Sequence, residues 1–480
     1  MRAPCIQILV FLLFMGTLQR GEAQDQIGIA GSTRSPINTV WNNPSTIVDS
    51  RAFIDFNFVG LDVFARNDFA YLDGKTFSFA TASQISTPLF QDNKKRYHVY
   101  ADAQVHGPSV YFAVKQHSFA LLSSYRVVSD VRGLPGEITD YIPEGLNNSQ
   151  YMGQVRQVKD LRAHALAWGE VGLSYGTIIS RQGNAIWQLG VTAKRLLGTA
   201  GVGLRLDDWT YVVRDSTSLE TSVFRGEYGF NDPSQGSLFS GKGWGGDIGV
   251  TYKVRKSESS SYTPHSPCTD GDFLYRIGFS LLDIGRINFK GPFYRNVFDQ
   301  NEGSEWDNYA GSEANDVADL DSLINSNFQL VQDNGDEERF VMRLPMAFSA
   351  FIDYNLTHNF YVYGTITAGL PRRMNLGVQR AAYLGVVPRW EKKRIEVSMP
   401  LSLYEWRHPQ MGLCFRFNSI IIGSDNLGWL LLNQDIYGAD LYFALKWTMF
   451  RHPKCKKKKD KSEPSIRRRG SREAVPCPSW

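Results

Sequence analysis

Residues 241–256, GKGWGGDIGVTYKVRK, decide the fold, because apolar and polar residues alternate through them with a period of two. One side of the alternation is apolar and consists of Trp244, Ile248, Val250, Tyr252 and Val254. The other side is polar and rich in glycine, and its charged members are Asp247, Lys253 and Arg255. A period of two predicts a β-strand with one apolar and one hydrated face.

The same alternation recurs in residues 160–179, 394–404 and 440–450. Ordinary strands have about five or six residues, whereas a tilted strand that crosses a bilayer needs about 9–11. Several runs reach the longer length, and their apolar faces carry no Lys or Arg, which would cost about 2–4 kcal/mol in lipid. The pattern predicts an all-β fold, a single transmembrane antiparallel β-barrel with long polar loops. We expect about 14 strands, within a range of about 12–16, and both ends of the barrel chain in the periplasm.

The composition of the chain excludes several other classes of protein. The 480 residues are 42% hydrophobic and 21% charged, with a net charge of +4, which excludes global disorder. A mean hydropathy of −0.28 excludes a bundle of membrane helices. Five cysteines in so long a chain do not form a disulfide scaffold. A soluble globular protein and a membrane barrel remain, and the length of the strands favours the barrel.

The first 23 residues have the three parts of a secretory signal peptide. Arg2 supplies the positive charge, the apolar run from Ile6 to Met15 follows, and Gly21-Glu22-Ala23 ends on a small residue. We therefore expect cleavage before Gln24 and export of the mature chain. Residues 24–450 are assigned to the barrel, which we place in the outer membrane.

Residues 451–480 differ sharply in composition from the rest of the chain. They contain eleven Lys or Arg and three Asp or Glu, a charge of 11 − 3 = +8. Few apolar residues are present to form a core, so we expect a disordered basic tail in the periplasm. It is either a solvated extension or an arm that binds an anionic partner, such as lipid headgroups or an envelope protein. Cys455 and Cys477 lie in this tail and could form a disulfide there.

The hydrated faces of the predicted strands supply candidates for the lining of the lumen. They are Arg162, His164, Glu170, Asp247, Lys253, Arg255, Arg276, Arg416 and Lys446. We predict four long connections, at residues 131–159, 215–240, 256–272 and 299–338.

The last of these connections, residues 299–338, has twelve Asp or Glu and no Lys or Arg. Within it Val317, Leu320, Leu323 and Ile324 recur at helical spacing and predict a short helix. The segment is a lid, an inward-folded constriction or a cation site that includes Asp316, Asp319 and Asp321, or it is a solvated acidic loop.

No catalytic pattern is present in the sequence. It lacks a His-Glu-x-x-His metal site, a Walker loop and a Gly-x-Ser-x-Gly nucleophile motif. We therefore predict no enzyme activity, no catalytic or metal site, no cofactor and no nucleic-acid partner.

Three short motifs resemble those of one barrel family. They are Ser280-Leu281-Leu282-Asp283-Ile284-Gly285, Leu344-Pro345 in a strand that ends at Asp353-Tyr354, and Ile422-Gly423-Ser424-Asp425-Asn426-Leu427. The family is a group of outer-membrane barrels from bacteria with type IX secretion, similar in architecture to long-chain fatty acid transporter-like barrels. The resemblance extends over about residues 30–450. It implies the fold and the location, and it brings no known activity.

The end of the last predicted strand is aromatic. Trp447 and Phe450 resemble the signal that the barrel assembly machinery recognises, although thirty residues follow them here. The expected partners are outer-membrane lipid, this machinery during biogenesis, and an envelope protein held by the tail.

Two functions fit this sequence. The first is a channel or transporter for a small or hydrophobic solute, because charged and small residues line the predicted lumen. The alternative is a structural or scaffolding barrel of an envelope or secretion complex, which holds partners with its loops and basic tail.

Overall fold

The computed structural model describes most of the chain between residues 26 and 450. The described residues are 26–73, 89–90, 96–136, 152–215, 218–231, 238–256, 273–290, 293–301, 303–306, 321–322, 324–326, 328, 330–333, 340–357, 359–370, 376–428 and 435–450. The predicted signal peptide, residues 1–23, and the basic tail, residues 451–480, lie outside them.

Fourteen antiparallel strands form one closed barrel, so the predicted fold class and strand number are confirmed. The first seven are β1 (Ile54–Asn67), β2 (Arg96–His106 and Ser109–Val114), β3 (His117–Pro135), β4 (Val155–Gln182), β5 (Ala185–Val213), β6 (Leu219–Asn231 and Gly241–Arg255) and β7 (Phe273–Phe289, Phe293–Gln300 and Ser304–Trp306). The other seven are β8 (Leu330–Asp333, Phe340–Arg343 and Ala347–Asn355), β9 (Phe360–Gly369), β10 (Tyr383–Glu391), β11 (Ile395–Ser398 and Leu401–Tyr404), β12 (His408–Met411 and Leu413–Phe417), β13 (Ile420–Ser424) and β14 (Gly438–Met449). Outside the barrel, Ala70–Tyr71 pairs with Leu89–Phe90 in a two-stranded sheet.

The first and last strands pair with each other and close the barrel. Ile54 of β1 lies opposite Met449 of β14, so both ends of the barrel chain lie at one end of the cylinder. We call this the proximal end and the opposite one the distal end. Residues 183–184 and 418–419 make tight connections at the proximal end, whereas β4, β5, β6 and β7 together form an extension at the distal end. The acidic connection, residues 299–338, belongs to the distal end because it joins β7 to β8 there.

The barrel is apolar outside and polar inside, the inverse of a soluble protein. Large apolar side chains such as Leu173, Val191 and Ile352 are exposed, whereas Lys253 and Arg416 are almost completely buried. Strand alternation produces this directly, because successive side chains point to opposite faces of the sheet. A sheet with an exposed apolar band matches lipid rather than water.

Three predicted connections were too long. Residues 131–135 and 155–159 belong to β3 and β4, and residues 299–300, 304–306 and 330–333 belong to β7 and β8. The third case is the largest. Residues 215–240 were expected to be a loop, but Leu219–Asn231 is a strand that pairs with the distal part of β5. It joins Gly241–Arg255 to make a single long β6, interrupted at 232–240. The serine, glycine and aspartate residues that suggested a loop occur mainly at that interruption and at residues 215–218.

The distal extension has an apolar core of its own. Its buried members are Phe69, Tyr97, Leu134, Val158, Leu161, Leu206, Tyr211, Val213, Leu219, Phe224, Tyr228, Phe230, Phe298, Trp306 and Phe328. We call this set the distal cluster. Nine of its members are aromatic, and they include the stacked pair Phe224 and Phe328 with ring centroids 4.3 Å apart.

The acidic segment is fixed to the distal cluster through Asp321. The Tyr228 hydroxyl donates to Asp321 at 2.7 Å, and the side-chain amides of Asn296 and Asn325 donate at 2.8 and 2.9 Å. Burial and the hydrogen bond to Asp321 raise the pKa of the Tyr228 hydroxyl. Residues 321–322 and 324–326 are helical, in line with the predicted helix. Val317, Leu320, Leu323, Asp316 and Asp319 lie outside the described residues.

Candidate functional site in the plugged lumen

Residues 26–50 lie inside the barrel rather than in its wall. They form α1 (Ile27–Ala30), α2 (Pro36–Thr39) and a 3-10 helix (Pro44–Asp49), and we call them the plug. Pro36 and Pro44 each occupy the first turn of a helix, where their fixed φ angle is favourable and no amide hydrogen is needed. Nearly every described residue of the plug is buried. Within residues 24–450, which the sequence analysis assigned to the barrel, residues 26–50 therefore lie inside the cylinder and not in its wall.

Asp425, just after β13, holds the first turn of the plug. One of its carboxylate oxygens accepts the backbone N–H of Ile27 at 2.7 Å, and the other accepts that of Gly28 at 3.1 Å. The hydroxyl of Tyr442 donates to the same carboxylate at 2.9 Å. The first N–H groups of a helical turn have no partner within the helix, so a wall aspartate completes this one.

A second group of contacts fixes the middle of the plug. Arg276 of β7 donates to the carbonyl of Gly31 at 2.6 Å, and Ser32 donates to Glu396 of β11 at 2.8 Å. Arg34 lies 3.2 Å from Glu391 of β10. These polar contacts add to apolar ones, because Ile27 and Ala30 of the plug pack against Phe351 and Tyr363 of the wall.

The last part of the plug contacts β14 and a groove lined by glycines. Lys446 donates to the side chain of Asn38 at 3.0 Å and pairs with Asp55 of β1 at 2.7 Å. A Cβ built on Gly190 of β5 would collide with the backbone of Pro44 and Ser45. The glycine of this strand therefore provides the space that the 3-10 helix occupies.

Substitution of this glycine should loosen the plug. We expect Gly190→Ala to displace the 3-10 helix and to produce ion conductance in planar bilayers where the wild-type protein is closed. Gly172→Ala on β4 is the matched control, because its Cβ would meet Thr192 at 3.4 Å, an ordinary contact distance. Equal conductance of both variants and the wild type would show that the plug does not seal the lumen.

Above the plug, Asp283 of β7 is the centre of a buried charge network. Its carboxylate lies 2.9 Å from Arg126 of β3, 2.8 Å from Lys194 of β5 and 3.5 Å from Arg380. Lys194 also pairs with Asp247 at 2.9 Å. Buried charges are tolerated when they are paired and hydrogen-bonded in this way.

The backbone places Asp283 in the lumen by breaking the alternation of β7. The register with β6 shifts at this point, and Asp283 has a φ of 52°, in the left-handed region. Leu282 and Asp283 consequently both face inward, and the N–H of Asp283 donates to Asp247 at 2.8 Å. Such a bulge redirects a side chain that regular pleating would place against lipid.

Asp353 of β8 is the centre of a second network nearer the proximal end. It pairs with Arg276 at 2.8 Å and with Arg389 of β10 at 3.1 Å. Asp283, Asp353 and Asp425 thus have corresponding roles, since each is a buried acceptor that joins separate strands or the plug. Each belongs to one of the three motifs that carried the family resemblance. Sequence reasoning quoted these motifs as structural and did not select their aspartates.

A layer of apolar side chains fills the lumen beside the Asp283 network. Its members are Phe64, Tyr100, Val128, Leu166, Trp168, Leu196, Ile287, Phe289, Phe340, Met342, Leu344, Leu376, Val378, Ala381 and Tyr404, which we call the lumen layer. Three of them, Leu376, Val378 and Ala381, come from the connection between β9 and β10, which folds inward. The backbone N–H of Gln379 in this connection donates to the carboxylate of Asp130 of β3 at 2.8 Å. This segment is an inward-folded constriction. The predicted lid, constriction or cation site of the acidic segment falls mostly on residues outside the described ones.

Seven of the nine residues predicted to line the lumen are buried, and several join the networks described above. His164 lies 3.6 Å from Asp130, Glu170 accepts a hydrogen bond from Trp168 at 3.1 Å, and Arg416 pairs with Glu396 at 2.8 Å. Lys253 lies 5.7 Å from the centre of the Phe273 ring. The positions of Asp247, Arg276 and Lys446 are given above.

Arg162 and Arg255 are placed differently from the other candidates. Both are half-buried, Arg162 in the distal part of β4 and Arg255 at the proximal end of β6. Neither lies at the Asp283 network or the plug contacts described here.

The remaining candidate features have limited structural counterparts. Trp447 is exposed on the outer wall, and the Phe450 ring lies 5.5 Å from the guanidinium of Arg34 in the plug. The part of the chain that the structure describes contains no group of three His, Cys, Asp or Glu side chains arranged for a metal. It also has no helix long and apolar enough to cross a membrane. Cys455 and Cys477 are outside the described residues.

The fold and its contents define a class of protein, an outer-membrane-type β-barrel of 14 antiparallel strands with a plugged lumen. The chain belongs to DUF5723, a family of unknown function, whose model matches residues 44–425. No curated protein matches the sequence.

Several solved barrels are similar in fold at very low identity. The toluene transporter TbuX of Ralstonia pickettii is 10% identical with a TM-score of 0.40, and the match covers 90% of this chain and 100% of that one. The toluene transporter TodX of Pseudomonas putida is 9% identical with a TM-score of 0.34, over 89% and 93% of the two chains. A FadL homologue of Pseudomonas aeruginosa is 10% identical with a TM-score of 0.31, over 90% and 99%. Most of the matches described are transporters or channels, and an outer-membrane protease is also among them.

Proposed function

We propose that this protein is an outer-membrane transport barrel that admits a small hydrophobic solute at its distal end and releases it when the plug moves. The observation that carries the proposal is the lumen layer. Its side chains face inward and are apolar, like those of the distal cluster. In a channel for hydrated ions, charged side chains would instead be exposed to the ions in the lumen.

The charges of the lumen support the same proposal. Arg126, Lys194, Asp247 and Asp283 are engaged with one another, and Arg34 and Lys446 are engaged in contacts at the plug. Paired charges offer little to a hydrated ion, while the surrounding apolar side chains favour a solute that leaves water. The charges therefore hold the structure, and the apolar side chains provide the path.

The membrane location is part of the proposal. The exposed apolar band suits lipid, and the distal end would face outward if the proximal end lies in the periplasm. The predicted association with bacteria that use type IX secretion is likewise retained as an expectation.

Entry of a hydrophobic probe into intact cells tests the function. We expect cells whose outer membrane carries the protein to take up N-phenyl-1-naphthylamine faster than cells without it, and to take up a hydrophilic sugar no faster. Equal entry of both solutes, or no increase for the hydrophobic probe, would contradict the proposal.

A matched pair of substitutions on β7 locates the path. Phe289→Gln places an amide in the lumen layer, and we expect the rate of probe entry to fall at least about fivefold, because burying an unpaired amide costs about 1–3 kcal/mol. Phe279→Gln is the control, since Phe279 lies on the lipid-facing side of the same strand. A similar loss in both variants, at equal amounts of folded barrel, would mean that the lumen layer is not the path.

A further inference from the structure

A row of basic residues crosses the outer wall of four adjacent strands. Arg195 of β5 lies opposite Trp244 of β6, Trp244 lies opposite Arg286 of β7, and Arg286 lies opposite Arg343 of β8. We call these four residues the basic row. Because neighbouring strands are about 4.8 Å apart, the Cα atoms of the three arginines lie within about 15 Å of each other, with Trp244 between Arg195 and Arg286.

The basic row lies at the distal edge of the apolar band. Arg195 is 195 − 185 = 10 residues beyond Ala185, the proximal end of β5, and Trp244 is 255 − 244 = 11 residues from Arg255, the proximal end of β6. A tilted strand crosses the hydrocarbon in about 9–11 residues, so this is the depth of the distal headgroups. On the proximal side of the row the outer wall is apolar at Val191, Ile248, Ile284 and Phe348.

The charges of this surface differ from those of the lumen. Arg195 stacks on the Trp244 ring at 5.0 Å and donates to the carbonyl of Gly243 at 3.1 Å. Among the described residues, no carboxylate forms an ion pair with Arg195 or Arg286, nor with Lys242 and Lys290 just distal to them. Trp244 is 67% exposed, as expected of a side chain at a membrane interface. These four cations, without carboxylate partners among the described residues, are complementary to anions.

We propose that the basic row, together with Lys242 and Lys290, binds the phosphate groups of a lipid in the distal leaflet. Guanidinium groups bind phosphate with paired hydrogen bonds, and the apolar wall on the proximal side would contact the acyl chains. The site requires a barrel that spans a membrane. It does not require solute transport, so failure of the uptake experiments would leave it intact.

Binding of lipid A to the purified full-length barrel in neutral detergent tests the proposal. Lipid A carries two phosphates and acyl chains, and native mass spectrometry counts the molecules retained per barrel. For the triple variant Arg195→Gln, Arg286→Gln and Arg343→Gln we expect at least about a tenfold loss of affinity, because three of the cations that attract the phosphates are removed. Dephosphorylated lipid A should bind the wild type as weakly as diphosphorylated lipid A binds the variant.

A triple variant at the other end of the barrel is the matched control. Lys392→Gln, Lys393→Gln and Arg394→Gln removes the same charge from exposed residues beyond β10, where Lys392 also lies over a tryptophan ring, that of Trp390. We expect its affinity for lipid A to stay within about twofold of the wild type. Equal loss in both triple variants would indicate general charge attraction, and unchanged binding in the basic-row variant would exclude this surface; either result overturns the proposal. Heat-modifiable mobility in gel electrophoresis confirms that each variant is a folded barrel.

Discussion

Oxidation of a Ser45→Cys, Thr251→Cys double variant should stop entry of the hydrophobic probe, and reduction should restore it. The two hydroxyl oxygens are 2.7 Å apart, one in the 3-10 helix of the plug and the other on the inner face of β6. Cysteine sulfurs take nearly the same positions as these oxygens, so a disulfide can form without a large backbone movement. If solute leaves only when the plug moves, a covalent link between plug and wall closes the path.

The expected size of this effect is large because the bond replaces weak contacts. The plug is held by non-covalent contacts: hydrogen bonds and ion pairs that each contribute about 0.5–3 kcal/mol, and apolar packing such as that of Ile27 and Ile47. Thermal motion and a bound solute can offset such contacts. A disulfide cannot open on the timescale of transport without a reductant. We therefore expect the rate of probe entry in the oxidised variant to equal that of cells lacking the protein.

Single-cysteine variants are the controls for the lock. The Ser45→Cys and Thr251→Cys single variants each lose one of the two hydroxyl groups but cannot form the disulfide between plug and wall. The rate of probe entry through each should therefore be unaffected by oxidant. Mass spectrometry after thiol labelling reports the fraction of double variant that is oxidised. Full activity in a fully oxidised sample would show that solute moves past a fixed plug, and would reject plug movement as the release step.

The wall of this barrel could be predicted from sequence because lipid imposes a simple rule. Every second residue of a strand must be apolar, and the face change at each residue makes the rule visible in a linear pattern. In residues 241–256, Ile248 and Val250 are on the outer side and Lys253 is buried inside, as the alternation predicted. The strand Leu219–Asn231 was missed because it belongs to the distal extension, where water rather than lipid surrounds the wall and the rule is relaxed.

The contents of the lumen could not be predicted in the same way. The plug has no strand or long-helix periodicity, since it consists of short helical turns whose hydrogen bonds are completed by distant residues such as Asp425 and Lys446. The partners Ile27 and Asp425 are separated by most of the chain. A local sequence pattern carries no information about a contact between residues so far apart in the chain. The αL conformation at Asp283 was also hidden, although the Asp-x-Gly ending of its motif is typical of an irregular strand.

The sequence predicted polar residues in the lumen and left their purpose open. A water-filled channel and a solid interior both place charges on the inner face of a barrel. The structure distinguishes them through pairing: Arg276 joins a carboxylate on β8 to a carbonyl of the plug, rather than facing an aqueous path. Arg276 and Lys446, which were predicted to line a path for solute, are therefore better understood as contacts that fix the plug.

The Asp283 network is the part of this interior where a single substitution should cost most. We expect Asp283→Asn to lower the free energy of unfolding by about 3–5 kcal/mol, the usual cost of removing one partner of a buried ion pair. Asn tolerates the left-handed backbone at this position, so the change isolates the charge from the φ of 52°. Lys194 would keep Asp247 at 2.9 Å, but Arg126 would keep only Asp102 at 3.7 Å.

Denaturant unfolding of the barrel in lipid vesicles, followed by tryptophan fluorescence, measures this loss. Asp207→Asn is the control for removal of one carboxylate, because the Asp207 side chain is 47% exposed and its pairing with Arg205 should contribute less than about 1 kcal/mol. Addition of Arg126→Met to Asp283→Asn should recover part of the stability, since it removes the cation left without its close partner. Recovery would show that the unpaired charge of Arg126 causes the loss of stability. A further loss would mean that Arg126 stabilises the barrel chiefly through its contact with the Trp168 ring, whose centre is 4.9 Å from the guanidinium.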